Sequence, residues 1–171
     1  MRNFYFIFCL FLVGCTKNTN TAPNESELTK HFNEHHRSFD KLRSMIISDS
    51  HDLDYFQIRE GKIGEYDLTE KGWSKDYGHY VPFSVVTGTY RLTSSRYDEY
   101  VQLLKSTKAT AVDYYNGNVA ISIFSAGFVF GGCISEIIYQ PDKISLSRPS
   151  WATTYYQAYF DENWGAQTKC N

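Results

Sequence analysis

The chain has 171 residues, with 17 Lys and Arg against 19 Asp and Glu, and 17% of it is aromatic, including 14 Tyr and 12 Phe. No basic excess or basic stripe is present, so nucleic acid is excluded as an expected partner. The aromatic content suits half-buried pleated surfaces and points to a β-rich domain.

Residues Phe4–Val13 form an almost uninterrupted apolar run behind the single charge of Arg2. That is the n-region and h-region of a secretory signal. The run is too short for a mature span, which needs about 20 residues. It ends in Leu12-Val13-Gly14-Cys15. Aliphatic, variable, small, then Cys is the pattern read by bacterial lipoprotein-processing enzymes. Its match implies diacylation (palmitate-type) of the Cys15 thiol, cleavage after Gly14 and, as is usual, acylation of the new amine. The expected organisation is a signal peptide over 1–14, a lipidated cysteine and tether over 15–24, and one domain over 25–171. Removing 1–14 from 171 leaves 157 residues, and losing Arg2 leaves 16 basic against 19 acidic side chains, a net charge of −3. Thr16, where a sorting Asp would hold the protein at the inner membrane, favours the outer membrane, on its periplasmic or surface face.

Residues 16–24 contain no large apolar group and read as a flexible tether. Asn24 and Glu27 stand in capping-box positions. A helix to about Ser48 follows, with Leu28, Phe32, His35, Phe39, Leu42 and Ile46 on one stripe. Leu53–Ile58 and Lys62–Asp67 are expected strands around a Glu60-Gly61 turn. Residues 69–82, broken by Gly72, Gly78 and Pro82, read as a loop, and Ser84–Leu92 as a strand. Ser94 or Ser95 caps a second helix over Arg96–Thr107, with Tyr97, Tyr100, Val101 and Leu104 on one side. Thr110–Tyr115 and Val119–Ser125 flank Asn116-Gly117, a type I′ hairpin signal. Phe128–Val129 and Ile134–Gln140 are strands separated by Gly131-Gly132. Ile144–Arg148 and Trp151–Phe160 close the sheet. The order implies an α+β fold, an antiparallel sheet with two helices packed on one face.

Four cysteines divide by position. Cys9 leaves with the signal and Cys15 takes lipid, so Cys133 and Cys170 remain, in a compartment that permits a disulfide. The pair would pin the C-terminal tail to the sheet.

The layout resembles a class of small, uncharacterised bacterial lipoproteins. The shared features are the lipobox, the tether, and a helix with Phe32 and Phe39 ahead of Leu42, Met45 and Asp49. A second helix carrying Arg96, Tyr97, Tyr100, Leu103 and Leu104 follows. A Gly-rich join (Gly127, Gly131, Gly132) leading to Tyr139, and a late Trp164, complete the set. Such proteins often carry Lys-Gly where this chain has Ser135-Glu136. The resemblance implies the address and the fold, with no reaction attached.

No catalytic constellation is assembled in the sequence, and no metal or cofactor is expected. His31-Phe32-Asn33-Glu34-His35 fits H-x-x-E-H and puts two histidines one helical turn apart. It opens the domain directly after a tether, and His35 lies on the apolar stripe, so packing is the expected role; whether His31 and His35 bind metal stays open. Asp49, Asp52 and Asp54 lack the Gly and bidentate Glu of a calcium loop. Gly127–Gly132 lacks the Lys-Ser/Thr of a phosphate loop and reads as a reversal between strands. The segment Glu70–Tyr80 is the contact candidate: Trp73, Tyr77, His79 and Tyr80 sit among charges and glycines, as interface residues do. The expected function is a non-enzymatic binding module with an unidentified protein partner, its specific version an immunity-type protein that blocks a toxin. The alternatives are an envelope hydrolase and a structural envelope protein.

Overall fold

A computed structural model describes residues 21–51, 53–76, 78–127 and 131–171. Cys15, Asp52, Tyr77 and the expected Phe128–Val129 strand lie outside the described residues.

The first helix, α1, spans Glu25–Asp49. Its capping box is complete: Glu27 N–H donates to Asn24 Oδ1 at 3.1 Å, and Asn24 N–H to Glu27 Oε2 at 3.0 Å. The buried stripe is Leu28, Phe32, Phe39, Leu42, Met45 and Ile46. Met45 takes an inward place the stripe did not include, while His35 lies at its margin, half-exposed.

Five short strands follow: β1 Tyr55–Arg59, β2 Lys62–Ile63, β3 Tyr66–Thr69, β4 Gly72–Ser74 and β5 Tyr80–Val81. The turn at Glu60-Gly61 is as expected, but Lys62–Asp67 is not one strand. The chain reverses again at Gly64-Glu65, so β2 and β3 pair with each other. The expected loop over 69–82 contains β4 and β5, paired through Trp73 and Val81.

The strand expected at Ser84–Leu92 is instead a helix, α2, over Phe83–Thr89. Its β-branched residues suit a strand, but burial falls on Val86 and Thr87, with Phe83 and Tyr90 half-buried, which is helical spacing. Pro82 opens it with a fixed φ of −62°, and Thr87 bonds back to the Phe83 carbonyl at 3.1 Å. Helix α3 covers Ser94–Thr107 and is capped by Thr93 rather than a serine, through Arg96 N–H at 3.1 Å. Strands β6 Ala111–Tyr115 and β7 Asn118–Ala126 meet at Asn116-Gly117, whose φ values of 46° and 85° are those of a type I′ turn. Strand β8 is Cys133–Tyr139, β9 is Thr154–Tyr159 and β10 is Trp164–Cys170. Ile144–Arg148, expected as a strand, joins no ladder. Strand β10 was not foreseen: its small and polar residues carry no apolar run. Gly165 must be small, since a Cβ there would meet the Ala158 carbonyl at 2.8 Å and Leu146 Cδ1 at 3.1 Å.

Among the described residues the strands form one antiparallel sheet in the order β5-β4-β3-β2-β1-β6-β7-β8-β10-β9. Two cross-strand rungs run beneath the helices. One is Phe56, Tyr114, Val119, Tyr139 and Trp164; the other is Ile58, Val112, Ile121, Ile137 and Ala166. Helix α1 lies across β6 to β10, α3 packs on α1 and β1, and α2 sits at β4. Phe32 of α1 stacks on Phe160 at 4.0 Å and leans on Trp164 at 5.6 Å. The fold is α+β, with one hydrophobic core between helices and sheet. Each fully buried Leu, Ile or Phe there contributes roughly 1.5–3 kcal/mol.

The disulfide joins Cys133, the first residue of β8, to Cys170, the last of β10. These two residues are direct cross-strand neighbours. The tail is therefore not pinned onto the sheet from outside; it is an internal strand of it.

Candidate functional site

The expected contact loop divides. Trp73 is only 7% exposed; its indole stacks on Phe83 at 5.4 Å and meets the edge of Tyr97 at 5.9 Å. It is a core residue. Tyr80 stays outside, with the Lys71 ammonium 5.9 Å from its ring centre, and His79 is exposed beside it. Tyr80 borders a hollow of about 360 Å³ with Lys71, Lys75, Asp67 and Asp76.

A larger hollow of about 540 Å³ opens where α1 and α2 end, lined by His51, Leu53, Tyr55, Glu65, Tyr90 and Arg91 among others. His51 and Arg91 each follow a helix and have positive φ, 49° and 52°. Glycine is the usual residue at such a place because it bears no Cβ penalty. Here two basic side chains occupy it and both face the same hollow. The Arg91 guanidinium makes no ion pair or hydrogen bond among the described residues, whereas Glu65 is taken by Lys75. Gly64 lets the Tyr90 ring into the wall: a Cβ there would lie 2.1 Å from Tyr90 Cζ. The Tyr90 hydroxyl then accepts Glu65 N–H at 2.9 Å, and burial raises its pKa.

Tyr55 joins this hollow to the helix-free face of the sheet. Its hydroxyl donates to Asp113 Oδ1 at 2.9 Å, and Gln57 Nε2 donates to the same oxygen at 2.6 Å. Loss of water around the hydroxyl, and then the Asp113 carboxylate, push the Tyr55 pKa up to about 12. Burial also raises the Asp113 pKa, with Glu136 adding repulsion, against the two hydrogen bonds that lower it. Further along the same face Glu136 takes Lys169 at 2.8 Å and Gln167 at 3.0 Å. The result is a polar band running from the hollow toward β10. It offers aromatic walls, a guanidinium with no ion pair among the described residues, and hydrogen-bonding groups, which are the elements of recognition.

His31 and His35 do stand on one face, ring centres 4.8 Å apart. Burial, then His35, lowers the His31 pKa. No group of three or more His, Cys, Asp and Glu side chains placed to hold a metal occurs among the described residues. The motif's two histidines pack on each other and on Phe39, with His31 5.6 Å and His35 6.1 Å from its ring centre.

Sequence reasoning did not single out Tyr55, Tyr90, Arg91, Asp113 or Lys169, and marked Glu136 only as a departure from the resembling proteins. The alternation of Tyr55, Gln57 and Arg59 carried a usable signal, since such residues share one face of a strand. Which strands stand next to β1 was the missing information. No protein-family model matches the chain, and no curated protein or solved structure matches it either.

Proposed function

We propose that the chain is a lipid-anchored protein of the bacterial envelope whose domain works as a protein-binding module. The observation that carries the anchor is the lipobox Leu12–Cys15 at the end of an apolar run, followed by a polar tether and a helix that starts cleanly at Glu25. Two or more acyl chains, at about 0.8 kcal/mol per buried CH₂, hold a domain on a membrane durably. Thr16 favours the outer membrane, on its periplasmic or surface face. The binding reading draws support from the hollow at His51, Tyr55, Tyr90 and Arg91, whose guanidinium, without an ion pair among the described residues, and aromatic walls suit an acidic segment of a partner protein. Tyr80 and His79 extend the exposed aromatic surface. An immunity-type protein that blocks an arriving toxin is the specific form of this reading.

The anchor is tested by growing cells with labelled palmitate. Label enters the wild-type protein and not Cys15→Ser; absence of label from both overturns the anchor. The module is tested by using the protein with its disulfide intact as bait against envelope and secreted proteins. One stoichiometric partner, lost with Arg91→Glu and with Tyr55→Ala, is the expected result. Retention of nothing, or retention indifferent to both substitutions, overturns this site.

A further inference from the structure

Strand β9 is one edge of the sheet. Phe160 N–H donates to the Trp164 carbonyl at 2.9 Å. Ladder alternation then gives Thr154, Tyr156 and Ala158 the hydrogen bonds to β10. Tyr155, Gln157 and Tyr159 must turn their backbone N–H and C=O groups outward, and these have no backbone partner among the described residues. Natural edges are guarded by charge, proline, a bulge or brevity. The edge at β5 is two residues long and runs into Pro82. The edge at β9 has none of these guards: Thr-Tyr-Tyr-Gln-Ala-Tyr is neutral and regular, with Tyr156 42% and Tyr159 51% exposed.

We propose that β9 pairs antiparallel with the same strand of a second copy, across a two-fold axis at Gln157. The strand is self-complementary about that residue. Gln157 meets Gln157 of the partner subunit on the axis. Tyr155 stands opposite Tyr159 of the partner subunit, an aromatic cross-strand pair made twice. On the other face Tyr156 stands opposite Ala158 of the partner subunit, a large side chain against a small one. No charge opposes another anywhere along the pairing. The contact is isologous and closes on itself. It removes both open β9 edges and leaves outside only the short β5 edges, so it makes a dimer and not a fibre. The pairing stands independently of the lipid anchor and of the hollow at Arg91.

The test is sedimentation equilibrium on the protein purified from cells expressing the full chain, in density-matched detergent, across micromolar concentrations. The expected result is a monomer–dimer equilibrium, with the Tyr155, Gln157 and Tyr159 amides as slow to exchange as those of Tyr156 and Ala158. Gln157→Lys places two ammonium groups together on the axis and raises the dissociation constant by at least roughly tenfold. Gln157→Pro removes an outward N–H and acts in the same direction, while Leu68→Lys on the far side of the sheet leaves the equilibrium unchanged. A monomer at every concentration overturns the proposal, as does a dimer indifferent to both Gln157 substitutions. If the variants lose their near-ultraviolet dichroism, exchange in the wild type decides: fast exchange at Tyr155, Gln157 and Tyr159 overturns it.

Discussion

The Asp49 carboxylate, on the last residue of α1, accepts Arg96 Nε at 2.7 Å from the first turn of α3. Tyr100, one turn further along α3, adds its hydroxyl to the same carboxylate at 2.9 Å. The Asp49 side chain is only 15% exposed, so water screens the pair weakly. Asp49→Ala would leave the Arg96 guanidinium with Glu99 alone, at 3.1 Å, and the buried Tyr100 hydroxyl without its acceptor. The expected cost is about 2 kcal/mol, between a lost charged hydrogen bond and a fully buried broken pair. That corresponds to a fall in Tm of roughly 4–8 °C for a domain of this size, read by calorimetry. A fall no larger than that of an exposed Lys30→Ala control would show that the clamp contributes nothing.

Alkaline pH should unfold the protein through its buried tyrosines. Burial, then the Asp49 carboxylate, holds the Tyr100 pKa well above its ordinary value. An unfolded tyrosine ionises near pH 10, and the folded one does not. The stability this group supplies is therefore complete below about pH 10 and declines as the pH rises beyond it, by about 1.4 kcal/mol per pH unit. Denaturation at a series of pH values above 9 should show that decline, with a shallower slope in Tyr100→Phe. Identical slopes would assign the effect elsewhere, first to Tyr55, whose pKa is raised to about 12.

What could be read from the sequence depended on local chemistry. The capping box at Asn24 and Glu27 and the turn at Asn116-Gly117 each involve residues a few positions apart, and both stand as read. Val85, Val86 and Thr87 misled because β-branching favours strands, while the decisive fact, burial at helical spacing after Pro82, depends on what lies beneath them. Strand β10 was hidden for a similar reason: Gly165 and Ala166 are small to admit Ile144 and Leu146 above and α1 below. Trp73 looked like an anchor in a polar loop, yet Phe83 of α2 and Tyr97 of α3 enclose it, a packing that its own neighbours in the chain do not announce. The hollow at Arg91 assembles residues from three separate segments, so no motif could announce it.

Asp113→Asn should stabilise the protein at pH 7. The folded state raises the Asp113 pKa through burial, so keeping its carboxylate ionised there costs free energy. An Asn side-chain oxygen can still accept from Tyr55 and Gln57. The gain should be present at neutral pH and vanish as the pH falls below about 4, where the acid is protonated in both states. Tm compared at the two pH values checks this. A lower Tm at pH 7 would mean that the charge itself holds the two donors. A stabilised variant with weakened partner binding would mark Asp113 as a residue kept for function at a cost in stability.

Reduction of the Cys133–Cys170 bond should lower stability by about 4 kcal/mol, the loop-closure figure for its separation of 37 residues. The ladder between β8 and β10 remains, so the reduced protein should still fold, and denaturation with and without reductant measures the gap. Equal midpoints would mean that the cross-strand pairing already restricts the reduced chain as tightly.

Gly64→Ala tests whether the hollow's wall is built by close approach. The position has φ of 55°, and a Cβ would overlap the Tyr90 ring at 2.1 Å. A methyl group must therefore displace the ring, breaking the Tyr90 hydroxyl contact to Glu65 N–H. Strain at the backbone and the overlap together should cost about 2–4 kcal/mol. The overlap is specific to one partner, so the costs of Gly64→Ala and Tyr90→Ala should fall well short of additive in the double variant. Additive costs would mean that the ring moves aside freely and backbone strain alone is felt. A displaced ring should weaken partner capture by Gly64→Ala as much as Tyr90→Ala does; capture at the wild-type level would mean that the ring is not part of the contact.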